Sequence, residues 1–244
     1  MIVMTEPDLS LAPLERSPTL TEKVTDAIVQ AVMDRRIPFG SRLVEAELSR
    51  ALNVSRVPIR EALRLLESQG VVVNTPYKGM CLMTVDEKKL DEILSVRTLL
   101  EERAVRLAIA RRAAGEASSD ELRAALARMR EAVEAGSSAQ MAASDIGFHR
   151  ALLRMAGNET LRAMWEIMAR QFQMIVGIAW HSLATERERN YGDHARLLAM
   201  IETTQTEDAA REIVPHIMEG VAVGLRDLAP APSVTRFVPR THRR

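Results

Sequence analysis

The stretch VSRVPIREALRLLESQG, residues 54–70, narrows the possible folds more than any other part of the chain. Ser55 is a good helix N-cap, because its hydroxyl can accept from a free backbone amide. Pro58 falls in the first turn, where no intrahelical amide bond is lost. Ile59, Ala62, Leu63 and Leu66 form a buried stripe, and Gly70 suits the C-terminal stop. Arg56, Arg60 and Arg64 recur every four residues along one edge, away from that stripe. An arginine row on its own is usually just a solvated face. Its neighbours change the reading. Upstream, TLTEKVTDAIVQAVMDRR places Leu20, Val24, Ala27, Ile28, Ala31 and Val32 on one helical stripe, and IPFG breaks it. SRLVEAELSRAL follows as a short helix with Ala46, Leu48, Ala51 and Leu52 inward, ended at Asn53. Downstream, VVVNTPYKGMCLMTV reads as two β-rich runs around a turn, with Tyr77 and Lys78 near its tip. Three helices and a hairpin predict a winged helix-turn-helix over residues 19–85. An arginine-edged helix of this length fits a DNA major groove, where arginine can donate twice to guanine or clamp a phosphate. Lys78 on the wing adds a basic contact alongside.

From Asp86 onward the pattern is helical throughout, so the fold class is mostly α, with an all-α bundle of about six helices predicted over residues 86–228. The helices are expected near 86–114, 119–135, 144–156, 159–183, 186–204 and 206–226, with a capping box at Ser118 and Glu121 and a stop at Gly157. Three of them carry polar residues where apolar ones belong. Asp145 and His149 sit four apart beside Phe148, Leu152 and Met155. His194 shares a stripe with Leu197, Leu198 and Ile201, and His216 sits between Ile213 and Ile217. A lone histidine on an apolar face is more often a satisfied core residue than a ligand. Burying each of four such groups without a partner costs on the order of 1–3 kcal/mol. One divalent ion satisfies all four, and three imidazoles with a carboxylate suit zinc, or nickel, manganese or iron. Both readings stay open on the pattern alone. Pro215, just before His216, predicts a kink that either aims that imidazole or removes it from the set.

The segment SRLVEAELSRALNVSRVPIREALRLLESQGVV resembles the N-terminal domain of the GntR family of bacterial transcription regulators. That resemblance implies that Ser55, Arg56 and Arg60 meet operator DNA and that Gly79 permits the wing turn. Ala46 departs from the pattern, since some members carry a DNA-touching arginine there. RTLLEERAVRLA, DIGFHRALLRMAGN, DHARLLAMIE and AREIVPHIMEG resemble the FCD effector domain, the helical half of one large, FadR-type branch of that family. The count of six helices favours its smaller, VanR-like form. The resemblance implies a metal held by Asp145, His149, His194 and His216. Four protein ligands leave up to two positions on a six-coordinate ion, and carboxylate oxygens suit them. A small organic acid is therefore the expected effector, with Arg97 as its candidate partner; the competing reading of Arg97 is a surface salt bridge to Glu101. The expected function is a metabolite-responsive repressor that binds a palindromic operator as a homodimer.

Composition excludes some alternatives. Lysine plus arginine number 33 and aspartate plus glutamate 33, so DNA binding must come from a local basic patch rather than overall charge. A single cysteine, Cys81, rules out an internal disulfide and fits a reducing cytoplasm. No apolar run approaches the roughly 20 residues of a membrane span. Residues 1–18, with three prolines, read as an arm, and residues 229–244, with three prolines and four arginines, as a basic tail without a fold of its own. A metal-dependent helical enzyme competes, but the Glu-x-x-His pairs of di-iron bundles are missing, and Glu212 to His216 is one residue too long. A DNA-binding protein whose bundle only dimerises is the third reading.

Overall fold

The computed structural model describes residues 18–182, 186–203 and 206–225. All but the last residue of the expected arm, and the whole basic tail, lie outside the described residues. Helix α1 (Leu20–Met33) opens on a capping box in which Thr19 and Glu22 satisfy each other's amides. Its buried face is Val24, Ile28, Val29, Val32 and Met33; Leu20, expected inside, is exposed. Helix α2 (Glu45–Leu52) ends on Asn53 in the left-handed region, as its side chain permits. It is shorter than the expected SRLVEAELSRAL helix. Ser41–Leu43 instead lies along the wing, with Leu43 N donating to Met80 O and Leu82 N to Ser41 O. Only Leu48 of its four expected core residues is buried, and Ala51 is exposed.

Helix α3 (Arg56–Ser68) buries Ile59, Ala62, Leu63 and Leu66 as expected. Ser55 stands at its N-cap position, but its hydroxyl makes no capping bond. Strands β1 (Val72–Thr75) and β2 (Gly79–Leu82) pair antiparallel from Val72–Leu82 to Thr75–Gly79. The wing turns through Tyr77 and Gly79, both at positive φ.

Six helices complete the described chain: α4 (Glu87–Ala113), α5 (Asp120–Glu134), α6 (Ser138–Ala156), α7 (Glu159–Ser182), α8 (Arg187–Glu202) and α9 (Thr206–Leu225). Helices α4, α6, α7 and α9 pack on one another, with α5 and α8 alongside. The expected capping box before α5 does not form. Ser119 is the N-cap there, Ser118 accepts from Asp120 N, and Glu121 pairs with Arg154 instead. Gly157 closes α6 in the left-handed region (φ 65°). One hydrophobic core runs from the head through the bundle, with Val24, Ile28, Leu63, Phe148, Trp165 and Ile213 among its members.

Candidate functional site

The bundle's core holds a charged cluster. Arg97 (2% exposed) and Glu101 (0%) come from α4, Asp145 and His149 from α6, His194 (0%) from α8, and half-buried His216 from α9. The helical repeat explains how each arrives inside. Asp145, His149 and Leu152 share one α6 face, while His194, Leu197, Leu198 and Ile201 share one face of α8. Helix α9 continues through Pro215, which has no amide to contribute, and still delivers His216 to the cluster. The ligand nitrogens of His149, His194 and His216 lie within 4.8 Å of one another. His216 is therefore not displaced from the set, the alternative that Pro215 raised.

Hydrogen bonds set the tautomers. His149 Nδ1 lies 2.5 Å from Glu101 Oε2, and His194 Nδ1 lies 2.8 Å from the carbonyl of Asn190. Glu101 as a carboxylate, and the carbonyl, can only accept, so each Nδ1 carries a proton, and in the neutral ring each Nε2 keeps a free lone pair. His149 Nε2 then faces His216 Nε2 at 3.3 Å. Among the described residues, His194 Nε2 and Asp145 Oδ1 are buried with no hydrogen-bond partner. Asp145 flanks the three imidazoles, with Oδ2 3.6 Å from His194 Nε2 and Oδ1 3.9 Å from His149 Nε2. Converging lone pairs and an orphaned carboxylate oxygen are costly in a protein interior unless a cation sits among them. The residues present fit a divalent ion.

Electrostatics agree. Burial pushes the His194 imidazole down to about 4, although Asp145 pulls the other way. Burial, and then the neighbouring His194 and His149, hold His216 well below the ordinary imidazole value. Both are neutral near pH 7, the form that ligates. Burial opposes charge on Glu101, but His149 and Arg97 outweigh it and hold the carboxyl at about 2.

Glu101 is the residue that the sequence reading missed as part of the site. It accepts from His149, from Trp165 Nε1 at 2.7 Å and from Arg97 Nε at 2.8 Å. Arg97 does pair with Glu101, but as a buried bridge and not the surface one considered. Its Nη2 also comes within 3.8 Å of Asp145.

At the other end of the chain, Ser55, Arg56, Arg60, Arg64 and Lys78 are all exposed on the head. Arg60 is held by Glu45 of α2, through Nε at 3.2 Å and Nη2 at 3.1 Å. Gly79, at φ 76°, occupies the wing turn where a side chain is strained.

Comparisons with known proteins give the family. Residues 20–81 match the family described as bacterial regulatory proteins, gntR family, and residues 92–219 match the FCD domain. A probable D-xylose utilization operon transcriptional repressor of Paenarthrobacter nicotinovorans is 27% identical over 199 residues, covering 82% of this chain and 86% of that one. The gluconate operon transcriptional repressor of Bacillus subtilis (strain 168) is 26% identical over 182 residues, 71% of each chain. The solved structure of E. coli McbR/YncC superposes with a TM-score of 0.72 at 21% identity, covering 87% of this chain and all of that one, which supports the fold. Among the described residues no helix is long and apolar enough to cross a membrane. With a winged DNA-binding head, an all-α bundle and both family matches in sequence order, the chain belongs to the GntR family of bacterial transcription regulators, in the branch that carries an FCD domain.

Proposed function

We propose that this regulator is a cytoplasmic, metabolite-responsive repressor that binds a two-fold symmetric operator as a homodimer. Its bundle holds a divalent cation on His149, His194 and His216 with Asp145 beside them, and zinc suits that donor set best among zinc, nickel, manganese and iron. The observation that carries the reading is the convergence of three imidazoles, two of which, His149 and His194, have their Nδ1 nitrogens turned outward to Glu101 and Asn190. The bound cation would supply a Lewis-acid anchor for a carboxylate. Arg97, buried beside Asp145, adds positive charge next to that anchor and favours an anionic effector. Relatives named as operon repressors support the repressor assignment, and one is named for gluconate, itself a small carboxylate.

In the head, Arg56, Arg60 and Arg64 read the major groove from α3, Ser55 contacts the backbone at its start, and Lys78 and Gly79 form the wing contact. Effector binding changes operator affinity only by favouring one arrangement of the paired heads over another. The test combines elemental analysis of the purified protein with operator binding in the presence of candidate organic acids, with and without chelator. About one equivalent of metal and a chelator-sensitive response to at least one acid are expected. Metal-free protein whose operator affinity ignores every acid at millimolar concentration supports a bundle that only dimerises.

A further inference from the structure

Helix α7 touches the buried cluster on one face and the DNA-binding head on another. Trp165 and Phe172, seven residues apart, share the inner face. The Trp165 indole N–H donates to Glu101, and the Arg97 guanidinium lies 5.1 Å from the Phe172 ring centre. Arg170 and Gly177, also seven apart, share the opposite side. Arg170 pairs with Asp26 of α1 at 2.7 Å, and Gly177 packs so closely on Met33 that a Cβ there would meet its sulfur at 2.5 Å. Between them, buried Gln171 donates from Nε2 to the carbonyl of Gln69 at 2.7 Å, at the C-terminal end of α3. Gly70 follows at φ 68°, where any Cβ would come within 2.4 Å of that amide nitrogen. The contact is thus built from both sides, by a glycine that leaves room and an amide that fills it.

The junction also has an open side. A cleft of about 470 Å³ opens between α1, α6 and α7, lined by Asp26, Gln30, Met33, Arg150, Glu166 and Gln173 among others. The head thus meets the bundle through the shared apolar core and these polar contacts, and the Gln171 bond reaches the C-terminal end of the helix that carries the arginine row.

We infer that Gln171 is a positioning residue for DNA reading: through it, α7 transmits the state of the Glu101–Trp165 cluster to the C-terminal end of the recognition helix α3. This rests on the proposed regulator reading for its purpose, but its test needs neither DNA nor metal. Coupling between distant groups is demonstrated by non-additive effects, not by a chain of contacts alone. The experiment is amide hydrogen exchange of peptides spanning the end of α3 in wild-type protein, Gln171→Met, Trp165→Phe and the double variant. Both single changes remove a donor and keep most of the side-chain volume. Gln171→Glu, which sets a carboxylate against the Gln69 carbonyl, serves as the second variant at that position. Each single change is expected to speed exchange at the end of α3 by roughly fivefold, the weight of one hydrogen bond. The double variant is expected to add little to Gln171→Met. Full additivity, or a Trp165→Phe protein with wild-type exchange at α3, overturns the inference. Operator binding gives the separate readout. Gln171→Met is expected to lower the ratio of operator to non-specific affinity, whereas a merely structural role lowers thermal stability and leaves that ratio unchanged. A wild-type protein that ignores operator DNA refutes the regulator reading and leaves the exchange result to decide this one.

Discussion

Replacing Glu101 by Gln separates the charge of the buried carboxylate from its shape, and the outcome can be worked from its three bonds. Trp165 Nε1 and Arg97 Nε both donate to Oε1, whereas His149 Nδ1 meets Oε2. An amide oxygen must therefore take the Oε1 place, because an NH2 there would face two donors. The amide NH2 is left opposite His149 Nδ1 and must donate to it. That moves the imidazole proton to Nε2, the atom aimed at His216 3.3 Å away and at the proposed cation. Losing a carboxylate that orients a ligating histidine typically costs 10–100-fold in metal affinity. The fold is expected to survive, since shape and two bonds persist, with a loss of about 1.5–3 kcal/mol for weakening a charged hydrogen bond to Arg97. Glu101→Ala is the harsher comparison. It strands a buried guanidinium and two further donors and is expected to cost about 3–5 kcal/mol. Zinc affinity is measured by competition against a chromogenic chelator at pH 7.5, and stability by urea denaturation of the metal-free protein. A well-folded Glu101→Gln protein with wild-type zinc affinity refutes the reasoning, because the His149 tautomer would then not depend on the carboxylate.

Other expectations follow from particular geometry. Arg60→Ala should weaken operator binding by about 10–100-fold while barely changing non-specific binding, whereas Lys78→Ala should weaken both alike and lower the salt slope by about one; equal effects of the two in a titration over salt concentration would contradict the assigned roles. The metal-free protein should lose stability as pH falls from about 6.5 towards 4. His194 has a folded value of about 4, so the unfolded chain takes up its proton first, and the full contribution of about 3 kcal/mol is present only above the unfolded value. His216 acts in the same direction, and Glu101 begins to contribute only lower, between about 4.5 and 2. Urea midpoints that stay flat between pH 7.5 and 5 would show that these imidazoles are not buried neutral. Gly157→Ala forces a Cβ into the left-handed region and to within 1.9 Å of Arg111 Nη1, which donates to Met155 O; a loss of about 2 kcal/mol in thermal unfolding is expected, with DNA and metal affinity unchanged.

What the sequence could and could not reveal divides along the range of the interactions. Periodicity located the helices, so α7 was expected at 159–183 and spans Glu159–Ser182. Local steric signals were equally readable: Asn53 and Gly157 end their helices where they were expected to. Hydrogen bonds chosen among competing local partners were not. Ser55 and Ser118 have the residue type and spacing of caps, yet one makes no capping bond and the other yields the cap position to Ser119. Ser41–Leu43 left its helix because the wing, forty residues on, offers backbone partners that a helical first turn cannot.

Glu101 belongs to a different class, because its burial is readable in the phase of α4. Arg97 and Glu101 fit the four-residue spacing of an exposed ion pair, which by itself suggests a surface bridge. Spacing alone says that two side chains meet; it does not say on which side of the helix. The phase does. Arg97, Glu101, Ala104, Val105 and Ala108 continue the stripe begun by Ile93 and Leu94, and all of them are buried. A charged pair in phase with an apolar stripe must be compensated inside, by each other and by whatever else the interior supplies. Any ionisable side chain in phase with the core, like the three histidines, therefore marks a candidate site. In α4 that phase marks Glu101, a carboxylate hydrogen-bonded to a proposed ligand, to the candidate effector arginine and, through Trp165, to the helix on which the head rests.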